Sequence, residues 1–314
     1  MVMRSVRRWR DQASVGILGL SLVAALAACG ESTTGSDSAQ TSAPACPVSP
    51  IDVVVTTNVW GSVADQLAGT CANLNVVITN PTADPHEFEP TAATSAAFAG
   101  AKLVVMNGLG YDSWATKITE SLGASAPPVL DLGQAVGLKP GANPHIWYSP
   151  DYVERSAKAI TDQLSSALPS ARDYFANQAA TFEQALNPYR EEVAKIRSAH
   201  TGTKIGATET VFVYMADATG LQITTPPGFM RAAADDSEPT ASDVATFRQQ
   251  LSNGTDRVLI FNSQTAGGLP AQMRTTAEQN NVPVVTVTET LTPERDTFQA
   301  WQLRQLQALN GALG

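Results

Sequence analysis

An α/β fold of two lobes, each a mostly parallel sheet flanked by helices and the two joined by one long linking helix, follows from three features of this 314-residue sequence. Short apolar runs bounded by turn residues alternate with segments of helical spacing from 51 to 132, the pattern of parallel βαβ units. Over 151–199 the text is helical, with no strand in it. Strand and helix then alternate again from 203 onward. The predicted boundaries are an N-terminal lobe at 50–168, a linking helix at 169–200 and a C-terminal lobe at 201–314. About 265 ordered residues would fit one domain on length alone, and the helical interruption is what favours two.

Residues 1–28 read as an export signal rather than as part of the fold. Arg4, Arg7, Arg8 and Arg10 form a basic head, and an apolar run of small residues follows over 13–28. That run is shorter than the roughly 20 apolar residues of a membrane span. Leu26-Ala27-Ala28-Cys29 is similar to the bacterial lipobox, in which the cysteine is lipidated and becomes the first residue of the mature protein. An uncleaved anchor, or an ordinary signal with a chance cysteine, is the alternative. The Ser-, Thr-, Gly- and Ala-rich stretch within 29–49 favours lipidation, because it has the composition of a flexible tether. The expected location is the outer face of the bacterial cytoplasmic membrane, held there by lipid on Cys29.

In the first lobe the apolar runs predict strands at 51–57, 74–80, 103–107 and 129–132, with helices at 60–67 and 91–98 between them. Two helices follow at 151–168 and 170–199, separated by Pro169. The second exceeds a typical helix in length, and Asn187-Pro188 predicts a kink, since proline removes a backbone bond and crowds the preceding turn. Strands resume at 203–208, 221–225, 257–262 and 282–289, and a closing helix runs from about 293 to 313. The sequence shows no internal repeat.

Removing 1–28 takes four arginines and one aspartate from the 20 basic and 29 acidic residues, leaving 16 against 28 and a net charge of −12. So acidic a chain repels nucleic acid and anionic membrane and suits cation capture, although solubility accounts for the charge equally well. With Cys29 assigned to lipid, Cys46 and Cys71 remain, and in an oxidising compartment such a pair reads as one disulfide. Neither has a second Cys or His at zinc-finger spacing.

Only three histidines occur: His86, His145 and His200. His86 lies in Ala83-Asp84-Pro85-His86-Glu87-Phe88-Glu89-Pro90, after the second predicted strand, and His145 in Asn143-Pro144-His145-Ile146-Trp147-Tyr148-Ser149-Pro150, after the fourth. Each follows a proline that narrows where the imidazole points. Each also follows the carboxyl end of a strand, where ligands gather in open α/β sheets. In the second lobe Glu209 and Glu289 stand at the ends of strands, where a buried carboxylate is costly unless solvated, paired or bound to a cation. Two imidazoles facing two carboxylates would close four ligands around a divalent ion, although each acid alone is more often a solvated strand end. His200 reads as a cation at a helix C-terminus.

These motifs resemble the metal-binding subgroup of ABC-transporter solute-binding proteins, and the resemblance covers 51–313. Asp84-Pro85-His86-Glu87-Phe88-Glu89-Pro90 is similar to the first histidine motif of that family. The segment from Asn143 to Pro150 is similar to the second, with Asn143 where Asp is commoner. Asn107-Gly108-Leu109-Gly110 with Trp114 resembles its glycine turn. Tyr174 and Asn177 resemble the start of its linking helix, and Glu238-Pro239 with Asp243 a further shared segment. Glu209 with Phe212 and Tyr214 resembles the third ligand segment, and Thr288-Glu289-Thr290 falls where the fourth ligand is expected.

The resemblance implies a two-lobe fold that moves little on binding and a ligand set of His86, His145, Glu209 and Glu289. It implies one divalent transition metal ion as transported ligand, Zn2+ or Mn2+, and as partners an ABC permease with its ATPase. The membrane is met through the lipid anchor, no nucleic acid is bound, and a monomer is expected. Two imidazoles with two carboxylates favour manganese somewhat, zinc binds most nitrogen and oxygen sites more tightly, and iron(II) stays open. Residues 133–142 hold no histidine, so the His-rich collecting loop of many zinc-specific relatives is absent.

Two other classes fit the sequence less well. A metallohydrolase needs an open metal position and a general base, but the sequence has no His-Glu-x-x-His, no G-x-S-x-G, no Walker loop and no complete dinucleotide fingerprint. A receptor for a small organic solute would need aromatic walls, for which Trp60, Trp114 and Trp147 are the candidates.

Overall fold

The computed structural model describes residues 44–80, 88–235, 237–265, 267–293 and 296–314. The lipobox cysteine Cys29 and the first histidine, His86, therefore lie outside the described residues. The first lobe contains β1 (Ile51–Thr57), α1 (Asn58–Ala68), β2 (Ala72–Ile78), α2 (Ala92–Gly100), β3 (Leu103–Met106), α3 (Ser113–Leu122), β4 (Val129–Asp131) and α4 (Leu132–Ala135). Three helices follow: α5 (Pro150–Ala167), α6 (Arg172–Ala185) and α7 (Asn187–His200). The second lobe contains β5 (Lys204–Ala207), α8 (Val213–Thr219), β6 (Gln222–Ile223), α9 (Pro227–Ala234), α10 (Ala241–Ser252), β7 (Leu259–Asn262), α11 (Gly268–Gln279), β8 (Val284–Val287) and α12 (Phe298–Leu313).

Both sheets are parallel throughout and share one winding order, β2-β1-β3-β4 and β6-β5-β7-β8. The two lobes thus repeat a topology that leaves no trace as a sequence repeat. The central strands β3 and β7 are buried at every residue, as expected of parallel strands covered by helices on both faces. Alternation along them sorts the core. Val53, Val55, Leu103 and Val105 join Ile260, Val287 and Trp301 in one apolar cluster that runs through both lobes. Val54 and Val104 face the other way, onto Phe98 and Trp114, and Leu259 faces Phe229 and Phe247.

Several predicted bounds shift, each for a local reason. The second strand begins at Ala72, not 74, because Ile51 pairs with Ala72 and that register carries the ladder onto Thr57 and Ile78. The last strand ends at Val287, not 289. Beyond it, side chains take the backbone donors: Gln305 Oε1 accepts from Thr288 N–H, and Gln264 Oε1 accepts from the N–H groups of Glu289 and Thr290. The sixth strand is only Gln222–Ile223. The closing helix starts at Phe298, where the Thr297 side chain accepts from Ala300 N–H as N-cap. The long linking segment breaks at Leu186, beside Pro188, which has no N–H to continue the ladder. Its first half packs on α1 and α5, its second half on α8 and α12.

Cys46 and Cys71 form a disulfide with Cα atoms 4.9 Å apart. It joins the segment leading into β1 to the residue before β2, at the amino ends of the strands.

Candidate metal site

Three of the predicted ligands come together. One ligand atom from each of His145, Glu209 and Glu289 lies within 4.8 Å of the others. Each residue is only 1% exposed, which rules out the solvated strand-end reading for both acids.

Local sequence accounts for how each is presented. His145 leads into a 3-10 turn at Ile146–Tyr148, whose three side chains are buried. Ser149 then caps α5 by accepting from Tyr152 N–H, with Pro150 at the first helical position. The histidine motif is therefore also a helix-start signal. Glu209 lies two residues past β5, in extended backbone, and its Oε1 accepts from Val211 N–H at 3.2 Å. Glu289 lies two residues past β8. Both acids stand at the carboxyl ends of second-lobe strands, as the sequence indicated.

Glu289 is held from both lobes. Tyr111 Oη–H donates to its Oε2 at 3.0 Å, and the Asn262 side-chain amide donates to its Oε1 at 2.8 Å. Tyr111 is delivered by the turn at 107–112, in which Gly108, Leu109 and Gly110 have φ of 77°, 58° and 87°. Three successive left-handed residues, one of them leucine, form a strained bend that glycine on either side makes affordable. The buried Asp112 carboxylate closes this turn, accepting from Asn107 N–H, Gly108 N–H and the Thr56 hydroxyl. Burial pushes its carboxyl up to about 6, against the pull of those hydrogen bonds.

His145 Nδ1 is 2.7 Å from Asn143 Oδ1, and its Nε2 is 3.5 Å from Glu289 Oε2. Trp147 meets the imidazole edge-on with ring centroids 5.3 Å apart. Tyr148 donates to Thr288 O at 2.7 Å, and its hydroxyl is held protonated by burial first and by the charges of Glu289 and Glu209. An imidazole nitrogen and two carboxylates, gathered in a buried space, concentrate negative charge that a cation neutralises. Nitrogen and oxygen donors of this kind suit a divalent transition metal.

Other singled-out residues stand elsewhere. Trp60 is buried and donates to Asn107 Oδ1 at 2.9 Å, and Trp114 packs against Phe88 and Phe98. Both are lobe packing, whereas Trp147 packs against His145 and Tyr111 beside the candidate site. His200 ends α7 with its Nε2 3.3 Å from Asn310 Oδ1. Nothing in the sequence marks Tyr111 or Gln264 as part of the site. Asn262 carries one signal, as a polar residue closing an otherwise apolar strand.

Two α/β lobes thus bring three buried side chains with metal-ligating atoms together between their strand ends, a candidate site whose donors suit a cation. The chain belongs to the family of the zinc-uptake complex component A, periplasmic (ZnuA), whose model matches residues 53–312. It is 23% identical over 222 residues to the zinc-binding lipoprotein AdcA of Streptococcus pneumoniae, covering 65% of this chain and 43% of AdcA. It is 23% identical over 288 residues to the manganese ABC transporter substrate-binding lipoprotein PsaA of Streptococcus pneumoniae, covering 87% of each. The crystal structure of ZnuA has the same fold, with a TM-score of 0.69 at 19% identity over 84% of this chain and 100% of that one. Among the described residues no helix is long and apolar enough to cross a membrane.

Proposed function

We propose that this protein is the extracytoplasmic receptor of an ABC importer, capturing one zinc or manganese ion between its lobes and passing it to a permease driven by its ATPase. The observation that carries the reading is the convergence of His145, Glu209 and Glu289, buried and within 4.8 Å, from two lobes. His86 is proposed as the fourth ligand on the strength of its sequence motif. The binding unit comprises lobes at 50–168 and 201–314 with 169–200 as the link. Lipid on Cys29 would tether it, as a monomer, to the outer face of the membrane. Relatives named for zinc and for manganese leave both ions in the proposal. The reading is of a receptor and not an enzyme.

The test is a titration of the purified metal-free protein with zinc and with manganese, bound metal being counted by elemental analysis. One equivalent of one metal is expected. His86→Ala, His145→Ala, Glu209→Gln and Glu289→Gln should each cost more than about 100-fold in affinity, the upper range for a change beyond the ligands themselves. No stoichiometric uptake by folded protein would overturn the reading.

A further inference from the structure

Asn143 makes four hydrogen bonds that tie the metal site's histidine to the opposite lobe. Its Oδ1 lies 2.7 Å from His145 Nδ1 and accepts from His145 N–H at 3.1 Å. Its Nδ2 donates to the carbonyl of Thr210, the residue after Glu209, at 2.8 Å. Its own carbonyl accepts from Tyr214 Oη–H at 2.9 Å. The first two bonds are within the His145 segment, and the other two reach the second lobe.

The Thr210 carbonyl can only accept, so it requires the NH2 end of the Asn143 amide on its side. That leaves Oδ1 facing the imidazole. An oxygen there can only accept, so the proton of the neutral ring sits on Nδ1, and Nε2 is left as the nitrogen with a lone pair. Nε2 is the ring nitrogen 3.5 Å from Glu289 Oε2. We infer that Asn143 is a positioning residue: anchored by the second lobe, it sets the tautomer of His145 and so aims the metal-binding nitrogen at the carboxylates. The aim of a first-lobe ligand is thereby made to depend on a second-lobe carbonyl. A carboxylate at 143 would accept from Nδ1–H but offer Thr210 no donor, so the amide is what joins both tasks. The affinity part of this inference rests on the metal-binding reading; the tautomer part does not.

The experiment is 15N NMR of the histidine rings in metal-free full-length protein, at a pH where imidazole is neutral, with His145 assigned through His145→Ala. The wild type should carry the ring proton on Nδ1. Asn143→Asp should keep it there, and Asn143→Ala should lose the preference. Metal affinity should fall about 10- to 100-fold in Asn143→Ala, the range for a partner that orients a ligating histidine, and recover only in part in Asn143→Asp, which keeps the acceptor for the imidazole but loses the tie to Thr210. A wild-type ring protonated on Nε2, or an Asn143→Ala protein with unaltered tautomer or affinity, would overturn the inference. A wild type that takes up no metal yet shows the Nδ1–H tautomer would sink the transport reading and leave the positioning role standing.

Discussion

Asp112 shows how a residue outside the ligand set shapes the site. Its carboxylate gathers two backbone N–H groups and a hydroxyl to hold the turn that carries Tyr111 to Glu289. Burial nevertheless raises its pKa from 3.8 to about 6, so the folded protein binds a proton there more tightly than the unfolded chain. The stability from that proton is fully present below about pH 3.8 and is lost as pH rises through about 6, a change on the order of 3 kcal/mol. Asn cannot titrate. Urea unfolding of the wild type and Asp112→Asn across this window should therefore diverge by about that amount, the wild type losing the more as pH rises. Parallel pH profiles would show that Asp112 does not titrate there. The two carboxylates at the site and His145 were recognisable in the sequence from their residue type and their place after strands. Tyr111 was not, because a tyrosine three residues after Gly108 carries no mark of what its hydroxyl meets.

At the scale of elements, the turn at 107–112 is where backbone geometry is most demanding. A Cβ on Gly108 would run into the Asp131 carboxylate, and its φ of 77° disfavours any side chain. Asp131 is the N-cap of α4, accepting from Gln134 N–H. Gly108→Ala should therefore cost roughly 2–3 kcal/mol, summing left-handed strain and a disturbed cap. Gly254, with φ of 74° and nothing within 4 Å, is the control. Its alanine variant should lose only the strain, about 1–2 kcal/mol. Denaturant midpoints of the two variants check this, and equal losses would show that the Asp131 cap is undisturbed. The eight strands were legible because short apolar runs between turn residues survive in any register. Their ends were not, since β2 is extended by pairing with Ile51 and β8 is cut short by Gln264 and Gln305.

Across the whole molecule, closure is built from contacts between segments distant in sequence. Phe298 N–H donates to Ser62 Oγ, Leu291 N–H to Asn58 Oδ1, and Gln302 to the Trp147 carbonyl, so α12 and the strand end before it return to the first lobe. The disulfide acts at the opposite end of the first sheet, closing a separation of 25 residues between Cys46 and Cys71. A loop of that length implies about 3.5 kcal/mol of stabilisation through the unfolded chain. Replacing both cysteines with alanine should lower the unfolding free energy by about that amount and leave metal stoichiometry unchanged, because the ligands stand at the far ends of the strands. A loss of metal binding in folded Cys46→Ala/Cys71→Ala protein would tie the bridge to the site.

Legible along the chain were the alternation of strand and helix, the helical break between the lobes, the cysteine pair, and which imidazole and carboxylates stand after strands. These are local properties, set by burial period, proline and turn chemistry within a few residues. It takes the folded chain to show that His145, Glu209 and Glu289 meet, that Tyr111 and Asn262 grip Glu289, and that Thr210 orients Asn143. Each of those is a contact between segments far apart in the chain, fixed by strand register and lobe packing, which no local pattern encodes.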